Sequence, residues 1–199
     1  NPSYGERRDA LDQKWIEFLL SINLWPITIP NSLVYLKKFV EIEKIDGVLL
    51  TGGNSLAQYD GNAQERDEME YYLLEWAIDK NIPILGVCRG MQVIQNYFDN
   101  RLIKISEHVD SRFTLEVVED SKFSLIIKKL KDVNAFHDYG AYDVSGDLLP
   151  VAYSSDGIVM AIEHIKKSVY GVMWHIERET PFRNEEKNLF KEIFCKGLS

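Results

Sequence analysis

Cys88 stands in Gly86-Val87-Cys88-Arg89-Gly90, directly after the apolar run Ile84-Leu85. The pattern fits a G-x-nucleophile-x-G elbow with cysteine in place of serine. A buried strand must turn sharply into a helix there, so the flanking positions need little side-chain bulk. The nucleophile then stands at the carboxyl end of the strand, over the first turn of the helix. Amides at a helix N-terminus favour a thiolate over a thiol. The same amides can meet an oxyanion, and the Arg89 N–H is the natural first donor.

A thiolate that performs acyl transfer needs a base, and the base needs an orienting group. Gly171-Val172-Met173-Trp174-His175-Ile176-Glu177 supplies His175 and Glu177. On an extended segment, residues two apart point to one side, so His175 is expected to face Cys88 while Glu177 holds its far nitrogen. Their spacing does not by itself show that positions 88 and 175 meet. A second oxyanion donor is expected from Gly52-Gly53, which end the apolar run at 46–51. Glycine lets a backbone N–H approach a substrate without a Cβ in the way. This is not a phosphate loop, because the Lys-Ser/Thr of that motif is absent.

The plainer readings weigh against these. A cysteine after a buried strand is ordinarily a small core residue; the elbow and the distant His-x-Glu pair tip Cys88 toward a nucleophile. Cys195 falls near the apolar stripe of the last helix and is expected in the core. His108 and His164 have no compelling partner and read as structural or surface residues, and Trp15 and Trp76 read as core.

The elements that must position these groups alternate. Helical spacing is expected over residues 7–23, with Leu11, Trp15, Phe18, Leu19 and Ile22 inward. Pro26-Ile27-Thr28-Ile29-Pro30 reads as a short strand. A helix carrying Leu33, Leu36, Phe39 and Val40 follows, then a buried strand at 46–51. A helix at 63–81 turns Met69, Leu73, Trp76 and Ala77 inward, and the Cys88 strand and helix come next. The second half reads as shorter strands at 113–120, 149–155, 158–164 and 168–175, then a closing helix at 184–198. The fold class is therefore α/β: a mainly parallel central sheet flanked by helices, with a smaller antiparallel β element in the second half. No linker or repeat divides residues 1–199, so one domain is expected.

Composition narrows the chemistry. A net charge of -8 is wrong for a general nucleic-acid binder, although a local basic pocket stays open. Two cysteines, neither in a CxxC pair, support neither a zinc site of that type nor a disulfide framework. A reducing cytoplasm fits that usage. No apolar run reaches membrane-spanning length. The chain opens at Asn1 without Met, and a few native residues are expected before it. If a strand precedes Asn1, Arg7 and Arg8 lie on the loop leaving it. Ligands of open α/β sheets gather at the strands' carboxyl ends, where arginine suits a pyrophosphate. The alternative is a solvated helix start.

Taken together, Asp46–Gly53, Pro83–Gln92 and Gly171–Glu179 resemble the class I glutamine amidotransferase superfamily. The Cys-Arg-Gly-x-Gln form and the Arg66-Asp67-x-x-Glu70 helix start look most like its γ-glutamyl hydrolase branch. The resemblance implies a flavodoxin-like sheet and a Cys88–His175–Glu177 triad that cleaves a γ-glutamyl amide through a thioester. It implies oxyanion N–H groups at Gly53 and Arg89. It implies glutamyl-binding roles for Gln92 and for the loop of His137, Asp138 and Tyr139, with Gly52 and Asn54 near the substrate. No metal or organic cofactor is implied. The partner is a small γ-glutamyl substrate, nucleotide-linked in the preferred reading; no nucleic acid and no membrane is expected, and the oligomeric state stays open. Three departures stand out: Ile176 replaces the usual proline between His and Glu, Asp99-Asn100 replaces a Gly-Gly, and Asn54-Ser55 follow Gly53. A glutaminase subunit feeding ammonia to a synthetase, a γ-glutamyl amine hydrolase, and a non-catalytic sensor with a reactive cysteine remain as alternatives.

Overall fold

The computed structural model describes residues 3–118 and 121–196. Helices α1 (Gln13–Leu20) and α2 (Leu33–Ile42) lead to strand β1 (Val48–Leu50). Then come α3 (Gln64–Asp79), β2 (Ile84–Val87) and α4 (Arg89–Tyr97). The second half contains β3 (Ile103–Lys104), β4 (Val109–Phe113), β5 (Glu116–Val117) and α5 (Lys122–Ile127). It continues with β6 (Val133–Phe136), β7 (Tyr139–Gly140), β8 (Leu148–Tyr153) and β9 (Val159–His164). Strand β10 (Val169–Val172) and helix α6 (Asn184–Lys191) close the chain.

Six strands form the central sheet in the order β1-β2-β10-β9-β8-β5. The pairs β1·β2 and β2·β10 are parallel. The antiparallel element of the second half, β9, β8 and β5, extends the same sheet from β10. Two small antiparallel ladders, β3·β7 and β4·β6, lie outside it. Strand β2 is hydrogen-bonded on both sides and all four of its residues are buried, which is why its sequence is a continuous apolar run. The parallel core β1-β2-β10 brings position 51, position 88 and position 173 to one end of the sheet. One hydrophobic cluster of buried side chains runs from Trp15 to Ile193. Among the described residues, no helix is long and apolar enough to cross a membrane.

Several local expectations change. Helix α1 begins at Gln13 rather than near Arg7, because Asp12 caps it by accepting from the Lys14 N–H at 2.9 Å. Residues 26–30 form no strand. Pro26 and Pro30 lack ladder donors, and this segment and the edge strand β1 both line a cavity of about 910 Å3. The run at 113–120 divides between β4 and β5, which pair with different partners; Glu119 and Asp120 lie outside the described residues. Trp76 is only half-buried, whereas Leu74 and Ala77 are fully buried in that helix. The last helix continues past α6 as a π-helical turn over Glu192–Lys196. Cys195 is exposed there, two residues beyond buried Ile193 and so on the opposite side of the helix from it. Gly197 and Leu198, expected in the same helix, lie outside the described residues.

Glu186, in the first turn of α6, shows which force dominates in this interior. A helix N-terminus and nearby Arg183 both favour its carboxylate. Burial nevertheless drives the carboxyl up to about 8, against Arg183 and a 3.2 Å hydrogen bond from the Trp174 indole N–H. The folded protein therefore keeps a proton that the unfolded chain releases near 4.5. The resulting stability is complete below about 4.5 and is lost as pH rises through about 8. Glu186→Gln should raise the melting temperature by roughly 5 °C or more at pH 8.5 and change it little at pH 4.5, as read by calorimetry.

Candidate active site

Cys88 occupies the sharp turn between β2 and α4 with φ 51° and ψ -107°. A side-chain-bearing residue in that region costs on the order of 1–3 kcal/mol and needs surroundings that enforce it. Here the Cys88 N–H donates to the Val172 carbonyl at 2.8 Å, and the Gln92 N–H donates to the Cys88 carbonyl at 3.1 Å. The flanking glycines permit the packing. A Cβ on Gly86 would lie 2.5 Å from the Gly90 backbone, and one on Gly90 would lie 2.1 Å from the Leu50 carbonyl oxygen. The elbow is thus wedged between β1 and β10, and its thiol is directed at the end of the sheet.

His175 follows β10, and its ring interacts with the Cys88 side chain. Its Nδ1 is 2.7 Å from Glu177 Oε1, and both side chains are buried. The pairing does not arise from an extended segment, as the spacing suggested. Ile176–Arg178 form a 3-10 turn, and it is this turn that curls Glu177 back beneath the imidazole. Burial by itself would pull the His175 imidazole down. Hydrogen bonds and charge from Cys88 and Glu177 overcome it and hold the group at about 9. Gly52 lies against the other side of the ring, where a Cβ would come within 2.6 Å of His175 Cε1. Gly52 therefore has its reason in close approach.

Two sets of residues were given no positioning role from the sequence. Asn134 on β6 clamps the His175 backbone: its Nδ2 donates to the His175 carbonyl and its Oδ1 accepts from the His175 N–H, each at 2.8 Å. Nothing in Val133-Asn134-Ala135 marks this except a polar residue within an apolar strand. The second is a buried cluster behind the elbow. Arg66 bonds Glu70 at 2.8 Å, Glu70 also accepts from Arg89, and Arg89 reaches Asp67. Asp67 in turn accepts from the Ala57 N–H at 2.7 Å. The Arg66-Asp67-x-x-Glu70 spacing was the available signal, since i and i+4 share a helix face.

The remaining expected residues fall at differing distances from Cys88. Gln92 donates to the Tyr139 carbonyl at 3.0 Å and so ties α4 to the 136–139 segment. The Phe136 carbonyl of that segment lies 4.0 Å from the Cys88 sulfur. His137 is buried with both ring nitrogens engaged, Nδ1 toward the Tyr139 carbonyl at 3.0 Å and Nε2 toward His108 at 3.2 Å. Burial holds its imidazole down to about 4, so it is neutral at physiological pH. His108 has the partners that its sequence context did not reveal: it also meets Asp156 at 2.8 Å and stacks on Phe113. Tyr139 donates from its hydroxyl to Asp60 at 2.7 Å. Gly53 and Asn54 are exposed at the rim. Arg7 and Arg8 are exposed and pair with Glu65 and Glu6. Asp99 takes the left-handed conformation, φ 58°, that the replaced glycine would have supplied.

A cysteine on a strained elbow, an adjacent histidine and a buried carboxylate on an α/β sheet are the kinds of group that acyl transfer needs. The comparisons narrow the class. Residues 2–177 match the Peptidase C26 family, and the chain belongs to that family of glutamine-amidotransferase-like γ-glutamyl hydrolases. It is 31% identical over 198 residues to a γ-glutamyl-CDP-amidate hydrolase of Campylobacter jejuni, covering 98% of this chain and 92% of that one. It is 26% identical to a γ-glutamyl-γ-aminobutyrate hydrolase of Escherichia coli, covering 87% and 80%. Its fold matches a glutamine amidotransferase of Thermotoga maritima with a TM-score of 0.62 at 18% identity, over 92% and 77% of the two chains.

Because His175 holds its proton above the ordinary 6.5, its pairing contributes fully to stability below 6.5 and ceases to as pH rises through about 9. An NMR titration of the ring should show its transition near pH 9. Cys88→Ala and Glu177→Gln should each move it downward, since either leaves burial less opposed.

Proposed function

We propose that the chain hydrolyses a γ-glutamyl amide through a Cys88 thioester. The observation that supports this most is the His175 imidazole held between Cys88 and Glu177 and kept protonated to about pH 9. In this reading the Cys88 thiolate attacks the γ-carbonyl, and the Gly53 and Arg89 N–H groups receive the oxyanion. His175 gives its proton to the leaving nitrogen as the C–N bond breaks, leaving a γ-glutamyl thioester. Water then enters, His175 takes its proton, and the C–S bond breaks to release glutamate and the thiolate. Glu177 keeps the imidazole oriented throughout. Gln92 and the His137–Tyr139 segment hold the glutamyl end. Because both His137 nitrogens are occupied, that hold falls to the segment's backbone and to Gln92.

The preferred substrate is γ-glutamyl-CDP-amidate, giving L-glutamate and cytidine diphosphoramidate for capsular polysaccharide modification. Support comes from the near full-length similarity to a hydrolase of that name. Residues 1–199 are read as one catalytic domain, in keeping with the hydrophobic cluster that runs from Trp15 to Ile193 among the described residues. A reducing cytoplasm is the compartment that keeps a buried, unpaired Cys88 available. Arg7 is assigned to the pyrophosphate, because it pairs with Glu65 next to Arg66 at the start of α3 and a phosphate can compete for it. Arg8 is the weaker of the two, being paired within its own loop.

Glutamate release from γ-glutamyl-CDP-amidate, γ-glutamyl amines and glutamine tests the reading. The nucleotide substrate should be turned over with the highest kcat/KM, and Cys88→Ala should lower it by at least about 10³-fold. Preference for a γ-glutamyl amine would support the amine-hydrolase alternative, and turnover of glutamine only with an added synthetase the amidotransferase one. Arg7→Ala should raise KM for the nucleotide substrate by about tenfold, the loss of one charge-assisted contact, and leave a plain γ-glutamyl amide unaffected. Equal effects on both would remove the phosphate role.

A further inference from the structure

We propose that Arg66 is a positioning residue that sets the plane of the Gly52–Gly53 peptide, so that the Gly53 N–H faces the acyl oxygen at Cys88. This rests on the reading of Cys88 as an acyl-transfer nucleophile and of Gly53 as an oxyanion donor.

Arg66 Nη2 donates to the Thr51 carbonyl at 2.9 Å and to the Gly52 carbonyl at 3.0 Å, while its Nε donates to Glu70 at 2.8 Å. The guanidinium is largely buried, and its planar fork is committed on both sides. In a trans peptide the C=O and the following N–H point in opposite directions. Holding the Gly52 carbonyl on the guanidinium therefore directs the Gly53 N–H away from Arg66. Rotating that peptide would swing the carbonyl oxygen toward the place of the developing oxyanion and leave Arg66 with a donor in front of a donor. The Gly53 φ of 151° and the approach of Arg66 Nη1, 2.2 Å from where a Cβ would lie, show why no side chain stands at this position.

The same carboxylate joins both halves of the oxyanion site. Glu70 accepts from Arg66, which holds the Gly52–Gly53 loop, and from Arg89, which directly follows Cys88. The two proposed oxyanion donors, Gly53 and Arg89, thus sit on segments fixed to one buried side chain. Asp67 extends the arrangement by receiving Arg89 and the Ala57 N–H beyond the loop. The position of the oxyanion site is set by α3, which contributes no group to the chemistry.

Two reactions of the Cys88 thiolate separate this role from a general structural one. In acylation by p-nitrophenyl acetate, the thiolate adds to the carbonyl carbon and the C=O electron pair moves onto oxygen. That pair returns as p-nitrophenolate leaves. Alkylation by iodoacetamide displaces iodide at a tetrahedral carbon and forms no oxyanion. Arg66→Lys keeps a cation beside Glu70 but cannot span both carbonyls. It should lower the acylation rate by roughly 10- to 100-fold, somewhat less than the full loss of one oxyanion donor. The alkylation rate should stay within about twofold of the unsubstituted protein. Unchanged acylation, or an equal fall in both rates, would overturn the proposal. Glutamate release from the γ-glutamyl panel is read separately. A protein that is acylated by the ester but releases no glutamate refutes the γ-glutamyl reading, while the role of Arg66 is still decided by the ratio of the two rates.

Discussion

The turn at Cys88 is the constraint on which the rest of the structure depends. A residue with a side chain holds φ 51° there because β2 is fixed on both edges and α4 is pressed against β1 through Gly90. The strain is of the order of a few kcal/mol and is localised at one residue. It is maintained by the most buried part of the molecule, in which all of β2 and most of α4 are inaccessible to water. The function of this rigidity is geometric: a thiol at the end of a strand, over a helix N-terminus, can face a reactant without leaving the core.

Around that turn, polar groups have been buried only with partners that fix their direction. His175 is held by Asn134 at its backbone and by Glu177 and Cys88 at its ring. Arg89 pairs with both Asp67 and Glu70, and Arg66 with Glu70. Such groups add little net stability compared with apolar replacements. They hold loop 51–57, the elbow and the segment after β10 in one arrangement. Glu186 shows the opposite outcome, in which burial overcomes a favourable helix end and nearby Arg183 and the carboxyl keeps its proton.

What could be read in the sequence followed from local physics. The apolar run at 84–87, the glycines on either side of Cys88 and the helical stripe of α6 each carry their structural meaning within a few residues. So did the position of Gly52-Gly53 at the end of β1. The failures have equally specific causes. Residues 26–30 look like a strand but have no paired neighbour, because pairing is a property of two segments. Cys195 lies on the exposed side of a π-helical turn whose Ile193 stays buried. His108 looked partnerless because His137 and Asp156 are 29 and 48 residues away.

The sequence by itself determined the α/β class, the elbow and the candidate groups for acyl transfer, since these rest on short-range patterns of burial, bulk and chemical type. Only the tertiary structure decided that Cys88 and His175 meet, through the parallel pairing of β2 with β10. It also decided that Glu177 reaches His175 by a 3-10 turn rather than along a strand, and that Glu70 couples the loop at Gly53 to the elbow. The physical reason is the same in each case. Strand register and buried charge pairing join residues far apart in the chain, and the free energy of those contacts belongs to the assembled core, not to any one segment.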